Sequence, residues 1–258
     1  MSTQDAPMFS VREAAKRYPG GVALAPTTLD IDVGERVAVV GPSGGGKTTL
    51  LHLLAGVIQP DEGAIYIKGR PLTSINPGRD LARLVGVIHQ EHDLVPHLSV
   101  IHNVLAGRLG EWSLPKALLS LVIPQEKARA VRALEQTGIA SKLYQRTSRL
   151  SGGEKQRVAI ARLLVQSPEA FLADEPVASL DPARAEDLVK LLTELVADTG
   201  RTLVASLHIV ELARAQFQRI IGLRNGEVVF DLPASQVTDA MLEGLYNLRG
   251  LRDEVQVS

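Results

Sequence analysis

The sequence predicts an α/β fold built on a mostly parallel sheet. Three observations carry this. Short apolar runs alternate with segments of helical spacing, the arrangement that gives parallel strands joined by right-handed crossovers. A glycine-rich turn, Gly41-Pro42-Ser43-Gly44-Gly45-Gly46-Lys47-Thr48, links one such run to the start of a helix. A second apolar run, Phe171-Leu172-Ala173, ends on the paired carboxylates of Asp174 and Glu175, where open α/β sheets place their ligands.

The elements follow in chain order. Leu29, Ile31 and Val33 alternate with polar residues, which reads as a half-buried strand turned at Gly34-Glu35. Val37 to Val40 is the short β-branched run of a buried strand. Leu50, Leu51, Leu53 and Leu54 begin a helix that stops near Gly56, and Ala64 to Lys68 reads as another strand. From about 91 to 165 the spacing becomes helical, as in Lys127 to Gln136 and Val158 to Val165, and suggests a helical insertion. Ala170 to Ala173 is a strand. Leu188, Leu191, Leu192, Leu195 and Val196 share a helix face, with Gly200 as the C′ cap. Thr202 to Leu207 is a strand. Ile220 to Arg224 and Glu227 to Asp231 flank Asn225-Gly226, the pair that favours a type I′ hairpin. The stretch after about 235 is too short for another domain.

Composition narrows the function. The chain has 258 residues, enough for one or two domains. Its 28 basic and 29 acidic residues leave a formal net charge of −1, and aromatics are only 3%. Both weigh against a nucleic-acid binder, which needs basic surface and stacking platforms. There is no cysteine, which excludes disulfides, a thiol nucleophile and a Cys-ligated zinc site. The core must be aliphatic. Met1 to Pro7 is polar and lacks the pattern of a secretory signal. No apolar stretch approaches the ~18 residues of a membrane span. The nearest, Leu114 to Ile123, contains Pro115 and Lys116 and reads as a half-buried helix or loop. A soluble chain is expected, peripheral to a membrane at most through a partner. His89, His92, His97 and His102 crowd one region, but their spacing fits no zinc pattern and they read as loop and helix-surface histidines.

Two motifs carry chemistry. Residues 41–48 fit G-x-x-x-x-G-K-[ST] in its required strand-to-helix context. Glycines let backbone N–H groups converge on phosphates at a helix N-terminus. Lys47 would reach the β/γ-phosphates and the Thr48 hydroxyl would ligate Mg²⁺. At the other strand end Asp174 is placed to hold Mg²⁺, and Glu175 to act as general base or positioner for an attacking water. A third feature is Leu150-Ser151-Gly152-Gly153-Glu154. Ser151 and Glu154 have capping-box spacing, and the bare glycine amides make either a second anion site or simply a well-capped helix.

Together these residues resemble a family. The loop at 41–48, Gln90, LSGGEKQRVAIAR at 150–162, LADEP at 172–176, SLD at 179–181 and His208 are similar to the ATP-binding subunits of ABC transporters, in the right order from about residue 9 to 232. The resemblance implies a P-loop NTPase core with a mostly parallel sheet, an antiparallel β subdomain and an inserted α-helical subdomain. The core and β subdomain would take about 8–90 and 166–235, the helical subdomain about 91–165, and a C-terminal tail 236–258. The implied ligands are ATP and Mg²⁺. Pro42, Ser43, Thr49 and the four loop glycines would join Lys47 and Thr48 around the nucleotide, and Tyr18 would stack on adenine. Two subunits would close head to tail, so that Ser151, Gly152, Gly153 and Glu154 of one meet the γ-phosphate held by the other. Asp181 would align the halves. Gln90 would sense Mg²⁺ and the γ-phosphate and couple to the membrane, and His208 would bond the γ-phosphate and the water. Glu154 stands where many members have Gln, and Thr48 where Ser is commoner.

HNVLAGRLGEW at 102–112, SLPKALLSL at 113–121, DEPVASLDP, SLHIVELA and RIIGLRNGEVVFDLP resemble the phosphonate-import subgroup. That resemblance implies an importer of phosphonates or of phosphite and phosphate esters. Its expected partners are two transmembrane permease subunits and a periplasmic or lipid-anchored solute-binding protein, at the cytoplasmic face of the inner membrane. The alternatives are an importer ATPase for another small solute, or a soluble ABC ATPase. The latter usually carries two ATP-binding units or long inserted arms, and this chain shows one unit.

Overall fold

The structure is a computed structural model that describes residues 6–89, 93–178 and 180–246. Among these residues the strands form two sheets. The first is antiparallel, in the order β2-β1-β4-β5, from β1 (Phe9–Tyr18), β2 (Gly21–Ile31), β4 (Glu62–Ile67) and β5 (Arg70–Pro71). The second has the order β10-β9-β3-β8-β7-β6. It comprises β3 (Arg36–Val40), β6 (Val85–Ile88), β7 (Ala170–Ala173), β8 (Thr202–Leu207), β9 (Arg219–Arg224) and β10 (Glu227–Pro233). All its neighbours pair in parallel except β9 and β10. The α/β class and the mostly parallel sheet are as the sequence predicts. β7 and β8 are buried along their whole length, which is why they read as unbroken apolar runs.

The local signals act as their chemistry demands. α1 (Lys47–Leu54) starts directly after the glycine-rich turn. α7 (Pro182–Thr199) stops at Gly200 in the left-handed region, φ 62°. Asn225 and Gly226 have φ 52° and 80°, the pair of positive angles that a type I′ turn requires.

Between β6 and β7 the chain is helical: α3 (Val100–Leu105), α4 (Leu114–Val122), α5 (Lys127–Gln136) and α6 (Gly152–Gln166). Val104, Leu105, Trp112, Leu134 and Val158 close a separate core there. α6 ties this lobe to the sheet. Gln166 Nε2 donates to the carbonyls of Ala82 and Val85, and Gln156 Nε2 donates to Pro176 O beyond β7. A short α2 (Arg79–Leu84) leads into β6.

Two expectations shift. Within Leu114 to Ile123, Leu114–Val122 is helical, but its apolar side faces out: Leu114 is 74% and Val122 79% exposed. The buried position is Ser120, and Ala117 packs on the helical core. The helix is anchored by polar contacts, because Glu126 accepts from both Trp112 Nε1 and Lys116 Nζ. The chain after 235 is also more than a tail. After α8 (Val210–Gln216) and the β9–β10 hairpin, α9 (Asp239–Tyr246) packs back on the sheet with Leu245 fully buried. No helix among the described residues is long and apolar enough to cross a membrane.

Candidate active site

The site lies at the carboxyl ends of three adjacent strands, β3, β8 and β7. β3 runs into the glycine-rich loop. Gly41 has φ +149°, and a Cβ there would sit 1.9 Å from Leu223 O, so no side chain fits. Gly46, φ +104°, caps α1 and is crowded by Ala23 O at 2.6 Å from an added Cβ. The loop is thus folded tightly against β9 and β2, with α1's N-terminal amides behind it.

Lys47 reaches back into the loop. Its Nζ donates to Gly41 O (3.0 Å) and Pro42 O (3.1 Å) and lies 4.0 Å from Glu175 Oε1. The side chain is 4% exposed. Burial pulls its pKa down, against the opposing pull of Glu175 and Asp174.

β7 delivers the carboxylates. Asp174 is buried, and its amide bonds Ile88 O on β6 (2.9 Å). Its Oδ1 accepts from Thr48 Oγ1 (3.2 Å) and from Ser206 Oγ (2.7 Å). Glu175 is held in the left-handed region at φ 47°, a costly conformation for a residue with a Cβ. Its amide donates to Ser206 Oγ (2.7 Å), and its Oε1 accepts from His208 Nε2 (2.5 Å). Lys47, Thr48, Asp174, Glu175 and His208 therefore share one hydrogen-bonded or ion-paired cluster. The hydroxyl at its centre belongs to Ser206, to which no sequence motif assigns a role. The one signal for it is a hydroxyl set among Leu203, Val204, Ala205 and Leu207, two residues before His208.

Tyr18, Ser43, Gly44, Gly45, Gly46, Thr48, Thr49 and Glu175 line one cleft. Tyr18 is 48% exposed there, with Lys16 Nζ 5.8 Å from its ring centre. Ser151, Gly153 and Glu154 line a different cavity, with Arg157, Leu180, Arg184 and Asp187. The structure does not bring them to the phosphate loop of the same chain. Ser151 is the N-cap of α6 in a complete capping box, with the Ser151 amide donating to Glu154 Oε2 (2.8 Å) and the Glu154 amide to Ser151 Oγ (3.4 Å). The Ser151 amide leads the causes that lower the Glu154 pKa, with Lys142 also contributing. Gly152 is the first residue of α6. Asp181 is the N-cap of α7, its Oδ1 accepting from the Arg184 amide (3.1 Å). Gln90 and Ser179 lie outside the described residues.

Thr48 Oγ1 and Asp174 Oδ1 are hard oxygen donors side by side, the chemistry that suits Mg²⁺ shared with phosphate oxygens. Among the described residues the histidines do not converge in the same way. His89 meets the edge of His52 (6.0 Å between centroids), and His102 bonds Ser99 Oγ. His92 lies outside the described residues.

Residues 24–178 match the family model described as ABC transporter. The chain is 47% identical over 235 residues to the phosphonates import ATP-binding protein PhnC of Pseudomonas putida, covering 90% of this chain and 87% of that protein. It is also 47% identical over 245 residues to the protein of that name from Anaeromyxobacter dehalogenans, covering 94% of this chain. It spans about half (49%) of the length of that relative. The fold superposes on cbiO1 from Clostridium perfringens, part of the ABC transporter complex cbiONQ, with a TM-score of 0.77, 29% identity and 97% and 98% of the two chains covered. It also superposes on a dimeric ATP-binding cassette in a post-hydrolysis state with ADP and Pi, with a TM-score of 0.74, 30% identity and 88% and 99% covered.

Proposed function

Because this chain belongs to the ABC transporter ATP-binding family, we propose that it is the ATP-hydrolysing subunit of an importer for phosphonates or related phosphorus compounds. The observation that carries the enzymatic half is the single cluster formed by Lys47, Thr48, Asp174, Ser206, Glu175 and His208. The names of the relatives at 47% identity support the cargo.

In the proposed reaction water attacks the γ-phosphate in line with the departing ADP. Glu175 takes the water proton, and His208 fixes the carboxylate's direction. Lys47 and the amides of the loop carry the negative charge that spreads over the phosphoryl oxygens. Because the transition state is loose, positioning does most of the work. Thr48 and Asp174 are the residues that would hold Mg²⁺, with Gln90 expected beside them; the ion supplies charge neutralisation on the phosphates. Tyr18 is proposed to meet the adenine.

The capped start of α6 lies in a cavity apart from the loop, which supports a head-to-tail homodimer in which Ser151 and Gly153 serve the partner's γ-phosphate. Glu154, on this reading, holds Ser151 ready through the capping box. Asp181 would align the two halves. The assembly would include two permease subunits and a solute-binding protein, with this chain peripheral at the cytoplasmic face of the inner membrane. The helical lobe is proposed to run from about 91 to 165.

The test is reconstitution with a candidate permease and solute-binding protein. Phosphonate should stimulate ATP hydrolysis and be taken up, with phosphite and phosphate as comparison solutes. Hydrolysis stimulated only by an unrelated solute overturns the cargo and keeps the ATPase.

A further inference from the structure

We propose that Tyr246 is a positioning residue of the phosphate loop: from the C-terminal helix its hydroxyl holds the Gly41 amide, and through Gly41 the ammonium of Lys47. The inference rests on the ATPase reading above and adds a control point that the loop motif does not contain.

The argument starts from the end of the sheet. β3 pairs with β8 and β9 as far as Val40, opposite Leu207 and Gly222. The ladders stop there, one residue before the loop begins. The Gly41 amide is therefore the first that the sheet does not hold, and a part-buried amide needs a partner. Tyr246 supplies it: Gly41 N–H donates to Tyr246 Oη at 3.1 Å. On its other side Gly41 O accepts from Lys47 Nζ at 3.0 Å. One residue thus links the phenol to the ammonium. Gly41 has no side chain to pack in place and no room for one, because Leu223 O occupies the Cβ position. Its orientation is set by these two hydrogen bonds and by Leu223.

The tyrosine is itself held firmly. Leu245 beside it is fully buried, and Leu242 and Tyr246 pack against the same hydrophobic core. Arg214, on the helix that follows His208, donates to Asp239 Oδ1 (2.6 Å) and Val237 O (2.7 Å) at the start of α9. Arg224 at the end of β9 donates to Gly244 O (2.7 Å) at its other end. α9 therefore bridges the segment behind His208 and the first residue of the loop. Burial, with help from the Glu211 carboxylate, lifts the phenol above its ordinary pKa despite the Gly41 bond. The neutral hydroxyl is what meets Gly41.

Tyr246→Phe in the full chain tests this, since it keeps the ring and removes only the oxygen. Melting should change by a few degrees at most. Hydrogen exchange across 37–46 should quicken, and both ATP affinity and kcat/KM should fall about three- to tenfold, the worth of one hydrogen bond. A tyrosine that merely packed the helix would alter melting and exchange in α9 alone. A Phe variant that binds ATP and exchanges across 37–46 like the parent overturns the proposal. Should Phe destabilise the chain, the parent decides: its Gly41 amide must be protected in the absence of nucleotide, and rapid exchange there overturns the contact. A parent that binds no ATP at all overturns the ATPase reading instead, leaving the exchange measurement to judge the contact.

Discussion

His208 Nε2 lies 2.5 Å from Glu175 Oε1, while the same oxygen is 4.0 Å from Lys47 Nζ. One carboxylate oxygen therefore faces both the imidazole and the phosphate-loop ammonium. A carboxylate so placed is held in one orientation between the two groups, which is what positioning a water requires.

Glu175→Gln keeps the shape and removes the basicity. Turnover should fall by about 10²-fold or more, as for loss of a general base. ATP binding should persist, because loop and lysine are intact, and a dimer locked by ATP should accumulate. Phosphate release, equilibrium nucleotide binding and size-exclusion chromatography with ATP measure the three. Undiminished steady-state hydrolysis removes Glu175 from the mechanism.

Ser151→Arg addresses the action in trans. Ser151 lines a cavity that excludes the phosphate loop of its own chain. The arginine should block hydrolysis and dimer closure, with monomer ATP affinity nearly unchanged. Loss of ATP binding by the monomer would show that Ser151 acts in cis.

Glu126 gives a pH prediction. Its carboxylate accepts from Lys116 (2.7 Å), Trp112 (3.0 Å) and Arg129 (3.2 Å), with Arg108 Nε at 3.4 Å. The Lys116 bond leads the causes that lower its pKa to about 2, against a desolvation cost that raises it. A depressed carboxyl pKa stabilises the fold above the unfolded pKa, about 4.3, and that stability is lost as pH falls through about 2. Glu126→Gln should therefore lower the melting temperature at pH 7 by about 2–6 °C. The gap to the parent should narrow between pH 4.3 and 2. A gap of constant size over that window refutes the assignment of the stability to the ionised carboxylate.

Signals that act locally were legible in the sequence. The glycine-rich loop, the acidic strand end, the capping box of Ser151 and Glu154 and the Asn225-Gly226 turn each depend on residues within a few positions of one another. What the sequence concealed depends on adjacency in three dimensions. β1 is hard to read in the sequence because a register shift between Arg12 and Ala15 breaks its alternation. β6 is four residues with a glycine in the middle. For α4 the apolar spacing is plain, but nothing local says that Glu126 anchors it with the leucines outward. Tyr246 meets Gly41 across 205 positions, and no period or motif could announce that.

Ser206 belongs with these concealed residues, and it carries the last prediction. It is fully buried at the end of β8, the strand between the one that delivers the loop and the one that delivers the carboxylates. Its hydroxyl does two jobs at once, donating to Asp174 Oδ1 and accepting from the Glu175 amide. Ser206→Ala removes both. The Glu175 amide would lose its acceptor at a residue already held at φ 47°, and that conformation would no longer be enforced. Asp174 would keep Thr48 as a neighbour and lose its fixed rotamer. Hydrolysis should fall about tenfold, and the Mg²⁺ concentration for half-maximal activity should rise. ATP affinity measured without Mg²⁺ should stay within about twofold, because Lys47 and the loop amides are untouched. Ser206→Thr, which retains the hydroxyl, should recover much of the loss. An alanine variant with parental Mg²⁺ dependence would mean that β7 alone sets the two carboxylates.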